Sequence, residues 1–268
     1  MTRPLRPPRP PRPPRARRSP RRPGRRARTA ADPAALTASV EDYLKAIYEL
    51  ERTGEPAATT GLASLLGVTP ASVTGMVGRL AEQGLLTHRR YRGVRLTAKG
   101  RHAALRTIRR HRVIESYLVR ALGYRWDEVD VEAERLEHAA SDEFVDRMAA
   151  AIGEPTSDPH GAPIPSREGT VAEARYRTLA DLAVGASAEV MQVSDDDPSL
   201  LRYLDDLAIR PGSAVRVVDR APFGGPITVR VGDATRVVGP GLAERVMVRP
   251  RSEPTAGART ELRGRPRR

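Results

Sequence analysis

Two short amphipathic patterns follow each other in the stretch TTGLASLLGVTPASVTGMVGRLAEQGLL, residues 59–86. In the second pattern the apolar residues recur at helical spacing, and the sequence GVTP separates it from the first. Thr69 is a suitable N-cap and Pro70 a suitable first residue for the second helix. Two short helices joined by a glycine-containing turn are typical of a helix-turn-helix. We therefore predict this motif, with the second segment as its recognition helix.

A basic hairpin is predicted directly after the motif, in the sequence GLLTHRRYRGVRLTAKGR at residues 84–101. The order of helix, turn, helix and two-stranded hairpin indicates a winged helix-turn-helix. Small residues at the start of the recognition helix allow close approach to the major groove, and nearby arginines suit phosphates. The predicted DNA contacts are Thr69, Ala71, Ser72, Thr74, Gly75, Arg79, Arg90 and Arg92, with Arg89 and Arg95 as further phosphate candidates. The alternative is that the arginines form only a solvated basic surface.

Metal-ligating side chains recur on three predicted helices. Glu134, Glu137 and His138 lie at i, i+3 and i+4 in VEAERLEHAASDE, residues 131–143, which places them on one helix face. His111 and Glu115 form an i, i+4 pair on a long helix predicted from Thr97 to Leu122, which is followed by Gly123. Asp42 lies on the predicted first helix. The three helices could close one metal site, but an ordinary acidic surface is the alternative, because spacing alone does not show that they converge.

The second half of the chain changes character. We predict one helix that includes residues 131–143 and runs to about residue 152, and then a Pro/Gly-rich linker. Five β-type runs follow between residues 186 and 250 and suggest a small β-barrel. They are interrupted by DDDPSLLRYLDDLAIRPG, residues 195–212, where we predict a short helix and a loop. The predicted fold class is therefore mainly α with a small β domain. The predicted regions are a tail at 1–34, a DNA-binding domain at 35–98, a helical domain at 99–152, a linker at 153–177, a β domain at 178–250 and a tail at 251–268.

Charge and composition restrict the kinds of site and partner that the chain can have. The 268-residue chain has no cysteine, which excludes thiolate metal sites, and a net charge of +13. Residues 1–29 hold twelve arginines and residues 251–268 contribute +4, so removing +12 and +4 leaves about −3 for the middle of the chain. We expect both basic tails to be disordered. They either bind DNA phosphates or have no function. Without an apolar run long enough to cross a bilayer, the chain is expected to be soluble and cytoplasmic.

The chain resembles the iron- and manganese-dependent transcriptional repressors typified by the diphtheria toxin repressor. The resemblance covers about residues 37–250, and its motifs occur in the family's order: VEDYLKAIYEL, VTPASVTGMVGRLAEQGLL, YRGVRLTAKG, RHRVIESYL, EAERLEHAASDE and PHGAPIP. It implies a winged helix-turn-helix, a helical metal-binding and dimerisation domain, and a C-terminal SH3-like β-barrel.

The resemblance also implies a ligand set. Asp42, Glu134, Glu137 and His138 match the family's primary metal site, and His111 and Glu115 match a second site. Hard oxygen ligands suit Mn²⁺, with Fe²⁺ as the alternative. Lys45 stands where some manganese-type members have a glutamate ligand, which places a binuclear centre in doubt. Further ancillary candidates are Asp130, Gln192, Asp195, Asp196 and Asp197.

The resulting expectation is a homodimeric repressor of metal-homeostasis genes that binds a palindromic double-stranded operator when Mn²⁺ is bound. Repulsion among the carboxylates predicts a loosely held first helix in the absence of a cation. Three alternatives stay open: an iron-selective regulator of the same family, a metal-independent winged-helix protein, and a metalloenzyme of the di-iron bundle type.

Overall fold

The computed structural model describes residues 36–52, 54, 56–89, 93–172, 175–194 and 197–251. The two predicted basic tails, apart from residue 251, lie outside these ranges. So do Arg90, Arg92, Asp195 and Asp196.

The described residues confirm the predicted fold class of a mainly helical protein with a small β domain. The helices are α1 Ala38–Glu51, α2 Thr59–Leu66, α3 Pro70–Glu82, α4 Ala98–Leu122, α5 Val129–Glu137, α6 Asp142–Ala151, α7 Pro198–Asp206 and α8 Pro240–Ala243. The strands are β1 Leu86–Arg89, β2 Gly93–Leu96, β3 Arg177–Thr178, β4 Ser187–Val193, β5 Ala214–Arg220, β6 Ile227–Val231, β7 Ala234–Val238 and β8 Val246–Pro250.

The winged helix-turn-helix is formed by α2, α3 and the antiparallel hairpin β1–β2. Gly67 ends α2 in the left-handed conformation, with φ +62°, and the Thr69 hydroxyl accepts the backbone N–H of Ser72 at the start of α3. The apolar stripe predicted on α3 is fully buried. On α2, Leu62 is buried in the core, whereas Leu65 is exposed.

Helix α1 belongs to the same apolar core as the recognition helix and the start of α4. That core contains Leu44 and Ile47 from α1, Val73 and Val77 from α3, and Leu105 from α4. Polar contacts add to it, since the Leu96 backbone N–H on β2 donates to the Glu51 carboxylate on α1. A displacement of α1 would therefore disturb the packing of both the recognition helix and the wing.

The single helix predicted through residue 152 is wrong, because α5 ends at Glu137 and α6 begins at Asp142. The Ser141 hydroxyl accepts the backbone N–H of Phe144 and so caps a new helix. The break matters for the site, because His138 lies at the C-terminal end of α5 rather than within a longer helix.

The β domain is a six-stranded antiparallel sheet in the order β3-β8-β4-β5-β6-β7. All five predicted β-type runs form strands; β3, α8 and a 3₁₀ turn at Leu179–Asp181 were not predicted. Trp126, from the connection between α4 and α5, belongs to the apolar core of this domain, with the Arg210 guanidinium 5.1 Å from its ring centroid. The β domain therefore packs on the helical domain.

No single helix among the described residues is long and apolar enough to cross a membrane. Only α2 and α3 taken together would be, and they meet at a bend of 110°.

Candidate metal centres and DNA-binding surface

The four residues predicted for the primary site meet in space. One ligand atom from each of Asp42, Glu134, Glu137 and His138 lies within 4.8 Å of all the others. Helix α1 supplies Asp42, and the last turn of α5 with its C-cap supplies the other three. The cluster therefore joins a helix of the DNA-binding core to a helix of the second domain.

The imidazole of His138 is oriented by a residue that sequence reasoning did not single out. Its Nδ1 lies 2.6 Å from Glu41 Oε2, so a neutral ring donates its N–H there and leaves a lone pair on Nε2. Nε2 lies 2.8 Å from Asp42 Oδ1, and that oxygen makes no hydrogen bond to any described residue. His138 Nε2 and Asp42 Oδ1 are both electron-pair donors, so a cation bound between them would satisfy both. Histidine ligands commonly donate their second ring N–H to a carboxylate, as His138 does to Glu41.

Glu137 is the buried centre of the cluster, with no exposed side-chain surface. Its Oε1 accepts from Lys45 Nζ at 2.9 Å, and its Oε2 lies 2.6 Å from His111 Nδ1. Burial alone would raise the pKa of Glu137, but His111 and Lys45 outweigh burial and hold that pKa below its ordinary value. At Asp42 burial is the largest influence, and the pKa of that carboxyl lies above its ordinary value.

The carboxylate repulsion behind the predicted loose attachment of α1 is partly offset in this arrangement. Lys45 on α1 donates to Glu134 on α5 at 2.6 Å as well as to Glu137, and His138 lies against Glu41 and Asp42. The Lys45 ammonium thus offsets part of the negative charge of the carboxylates that face one another across the two helices.

A second cluster comprises His111, Glu115 and Asp130, as expected for an ancillary site. His111 Nε2 lies 3.5 Å from Glu115 Oε1 and 3.4 Å from Asp130 Oδ1. Burial would lower the pKa of His111, yet its contacts with Asp130, Glu115 and Glu137 raise that pKa well above 6.5. The imidazole therefore links the two clusters, since Nδ1 faces Glu137 and Nε2 faces Glu115.

A third cluster, of Glu115, Asp158 and His160, was missed. All three are buried, and neither carboxylate oxygen of Glu115 accepts a hydrogen bond from the described residues. His160 Nε2 lies 2.8 Å from the carbonyl oxygen of Trp126, which can only accept, so Nε2 carries the proton and the Nδ1 lone pair faces Glu115 at 3.7 Å. The sequence signal for these ligands is DPHGAPIP at residues 158–165, where an aspartate and a histidine stand two apart. From the sequence, this segment was identified as a family motif but not as a source of ligands.

Buried carboxylates that face imidazole lone pairs suit a hard divalent cation. Two other ancillary candidates are described. Gln192 lines a cavity of about 280 Å³ with Tyr48 and Arg112. Asp197 caps α7 by accepting from Ser199 N at 2.8 Å and belongs to none of the three clusters.

The predicted DNA-contacting residues that the structure describes form one exposed surface at the start of α3. Thr69, Ala71, Ser72, Thr74, Gly75 and Arg79 are all exposed. Thr74 Oγ1 donates to the Pro70 carbonyl, which keeps that hydroxyl close to the helix. A Cβ added at Gly75 would meet no atom within 4 Å, so this position on the helix is not covered by neighbouring side chains.

This winged helix-turn-helix, sharing α1 with a carboxylate and histidine centre, defines a DNA-binding protein of the metal-responsive class. Comparisons place it more narrowly. Residues 35–94 match the family "Iron dependent repressor, N-terminal DNA binding domain", residues 97–166 match its "metal binding and dimerisation domain", and residues 177–250 match the FeoA domain.

Individual relatives agree with the family matches. The iron-dependent repressor IdeR of Mycobacterium leprae is 32% identical over 206 residues, which span 72% of this chain and 89% of the relative. The regulator MntR of Lysinibacillus sphaericus is 35% identical over 43% of this chain and 83% of its own length. A solved manganese-dependent transcriptional repressor in complex with manganese superposes with a TM-score of 0.73 at 40% identity, covering 79% of this chain and 99% of that one. The chain belongs to the family of iron- and manganese-dependent transcriptional repressors.

Proposed function

We propose that the protein is a transcriptional repressor whose operator binding is activated by Mn²⁺, with Fe²⁺ as the alternative effector. The observation that carries this proposal is the position of Asp42. It lies on α1, whose apolar residues belong to the DNA-binding core, and its carboxylate faces three potential ligands from α5 and its C-cap. Some relatives are named as iron-dependent and others as manganese-dependent repressors. The cluster in this chain offers three carboxylates and an imidazole, and no sulfur ligand. That donor set favours manganese over softer ions but binds Fe²⁺ as well.

Asp42, Glu134, Glu137 and His138 would hold the ion of the primary centre. A divalent ion there supplies positive charge and coordination to both helices at once. Glu41 orients His138, while Lys45 and His111 keep Glu137 ionised. With α1 fixed against α5, the core that α1 shares with α3 holds the recognition helix in one position.

Operator recognition follows from this geometry in a homodimer. We infer that the helical domain, residues 99–152, carries the dimer contacts and that two recognition helices enter successive major grooves of a palindromic site. Residues 35–98 form the DNA-binding domain in this proposal, and residues 178–250 form the SH3-like domain after a linker at 153–177. The regulated genes would serve metal homeostasis.

The two clusters that share Glu115 are proposed as ancillary centres. Glu115 and His111 lie on α4, whereas Asp158 and His160 lie in the segment that leads to the SH3-like domain. The backbone of His160 also accepts from Val193 N on β4. An ion held by Glu115 and His160 would therefore fix the SH3-like domain against α4, and the effect on DNA binding would be smaller than at the primary centre.

The proposal is tested with duplexes selected from a random library in the presence of Mn²⁺. Wild-type protein should bind the selected duplex tightly with Mn²⁺ and weakly with chelator. Asp42→Asn should bind equally weakly in both conditions, because the link from α1 to the ion is removed. Glu49→Gln is the matched control and should respond like the wild type, because Glu49 lies on the same helix, pairs with Arg52 and belongs to none of the three clusters.

Two results would contradict the proposal. Wild-type binding that ignores both Mn²⁺ and chelator would favour the metal-independent winged-helix alternative. A full Mn²⁺ response in Asp42→Asn would remove α1 from the mechanism. Parallel anaerobic titrations with Fe²⁺ would decide between the two effectors.

A further inference from the structure

The ammonium of Lys45 lies inside the primary cluster rather than beside it. Nζ donates to Glu134 Oε2 at 2.6 Å and to Glu137 Oε1 at 2.9 Å, and these two residues are proposed ligands. The side chain is about one-fifth exposed, while Glu137 is fully buried. Lys45 therefore places a positive charge between these two carboxylates.

We propose that Lys45 acts as a built-in cation that limits the primary centre to one divalent ion. This inference rests on the proposed metal-binding function. Asp42, Glu134 and Glu137 carry a formal charge of −3, and Lys45 reduces it to −2, which one divalent ion neutralises. Glu41 does not enter this count because the Arg110 guanidinium pairs with it. His111 is counted with the ancillary cluster, because it also faces the carboxylates of Glu115 and Asp130. A second divalent ion would leave excess positive charge beside Glu137, whose side chain is fully buried, which is unfavourable.

Sequence composition supports a specific need for lysine here. Of the 46 basic residues in the chain, all but Lys45 and Lys99 are arginine. An ammonium is a compact point charge that can shift as a carboxylate turns to a metal, whereas a guanidinium would bind Glu134 and Glu137 together through its planar fork. Lysine at position 45 thus neutralises the carboxylates without locking them.

The experiment measures how many Mn²⁺ ions bind, by titration calorimetry and by elemental analysis after gel filtration. It uses full-length protein that carries Glu115→Gln, because this substitution removes the carboxylate shared by both ancillary clusters. This parent should bind one Mn²⁺ per chain. Adding K45E should raise the number to two, since the formal charge becomes −4. Adding K45Q should keep one ion and tighten its binding about tenfold at low ionic strength, because a nearby positive charge is removed. K45R should weaken binding.

The matched control is K99Q, which changes the other lysine. Lys99 Nζ donates to the Gln83 carbonyl, far in sequence from the cluster ligands, and its loss should alter neither number nor affinity. One bound ion in K45E together with unchanged affinity in K45Q would overturn the proposal. If K45E fails to fold, the affinity of K45Q alone decides. A parent that binds no Mn²⁺ would instead refute the proposed function itself, so the two failures are distinguishable.

Discussion

Replacing Glu137 with glutamine should weaken both the fold and the metal response. Glutamine keeps the shape of the side chain but removes the charge that faces Lys45 Nζ at 2.9 Å and His111 Nδ1 at 2.6 Å. Removing one partner of a buried ion pair costs about 3–5 kcal/mol. We expect the lower end, about 3 kcal/mol, because Lys45 retains Glu134 and His111 retains Asp130. For a protein of this size that corresponds to a fall in Tm of roughly 6–12 °C.

The assay is urea and thermal unfolding in the presence of chelator, so that metal binding does not contribute. Glu132→Gln is the matched control on the same helix, because its exposed pair with Arg135 at 2.6 Å is worth less than about 0.5 kcal/mol. In a second measurement, Glu137→Gln should lose Mn²⁺-stimulated operator binding while Glu132→Gln keeps it. Equal stabilities for the two variants would refute the assignment of Glu137 as the charged centre of the cluster.

Three further outcomes are expected. Because the pKa of His111 is raised well above 6.5, the stabilisation from its protonated ring is complete below pH 6.5 and is lost as pH rises through the higher folded value. Unfolding in chelator should show this decline in stability for the wild type and not for His111→Gln. The Mn²⁺ affinity of the ancillary centre should increase over the same pH range. Identical pH profiles of stability for the two proteins would contradict the role of His111. Gly161→Ala should destabilise the junction to the β domain by about 2 kcal/mol more than Gly185→Ala, as measured by limited proteolysis and unfolding. Both glycines have φ +90°, but only the Cβ at 161 would lie 2.0 Å from the Met191 carbonyl oxygen, so equal effects would exclude that contact as the cause. Arg79→Ala should weaken binding to selected and random duplexes by similar factors and should reduce the slope of log affinity against log salt concentration by about one. Arg147→Ala on α6 is the control and should change neither quantity. A loss confined to the selected duplex would show that Arg79 reads bases instead.

Local sequence signals predicted most of the fold. Periodicity and capping residues identified α3, with Thr69 as N-cap and Val73 and Val77 buried, as well as the end of α4 at Gly123. The strands were recognisable from their β-branched residues. The break between α5 and α6 was missed because a serine cap at residue 141 gives a weak signal inside an otherwise continuous helical pattern.

The candidate site was only partly predictable because its members are far apart in the sequence. Ligand-competent residues could be recognised on each helix, but the distances between Asp42 and His138, or between Glu115 and His160, depend on tertiary packing. Lys45 was noted as a departure from a family pattern, and its ion pairs with Glu134 and Glu137 emerged only from the structure. A net charge of +13 gave no hint of an acidic cluster, because the terminal arginines dominate the total.

The central claim is that one divalent ion shared by α1 and α5 couples metal binding to DNA binding. The most direct test is to measure the Mn²⁺ affinity of the wild-type protein with and without a saturating selected duplex. Binding linkage requires the duplex to tighten Mn²⁺ binding by the same factor as Mn²⁺ tightens duplex binding. We expect equal factors well above one. A Mn²⁺ affinity that stays the same when the duplex is added would contradict the account.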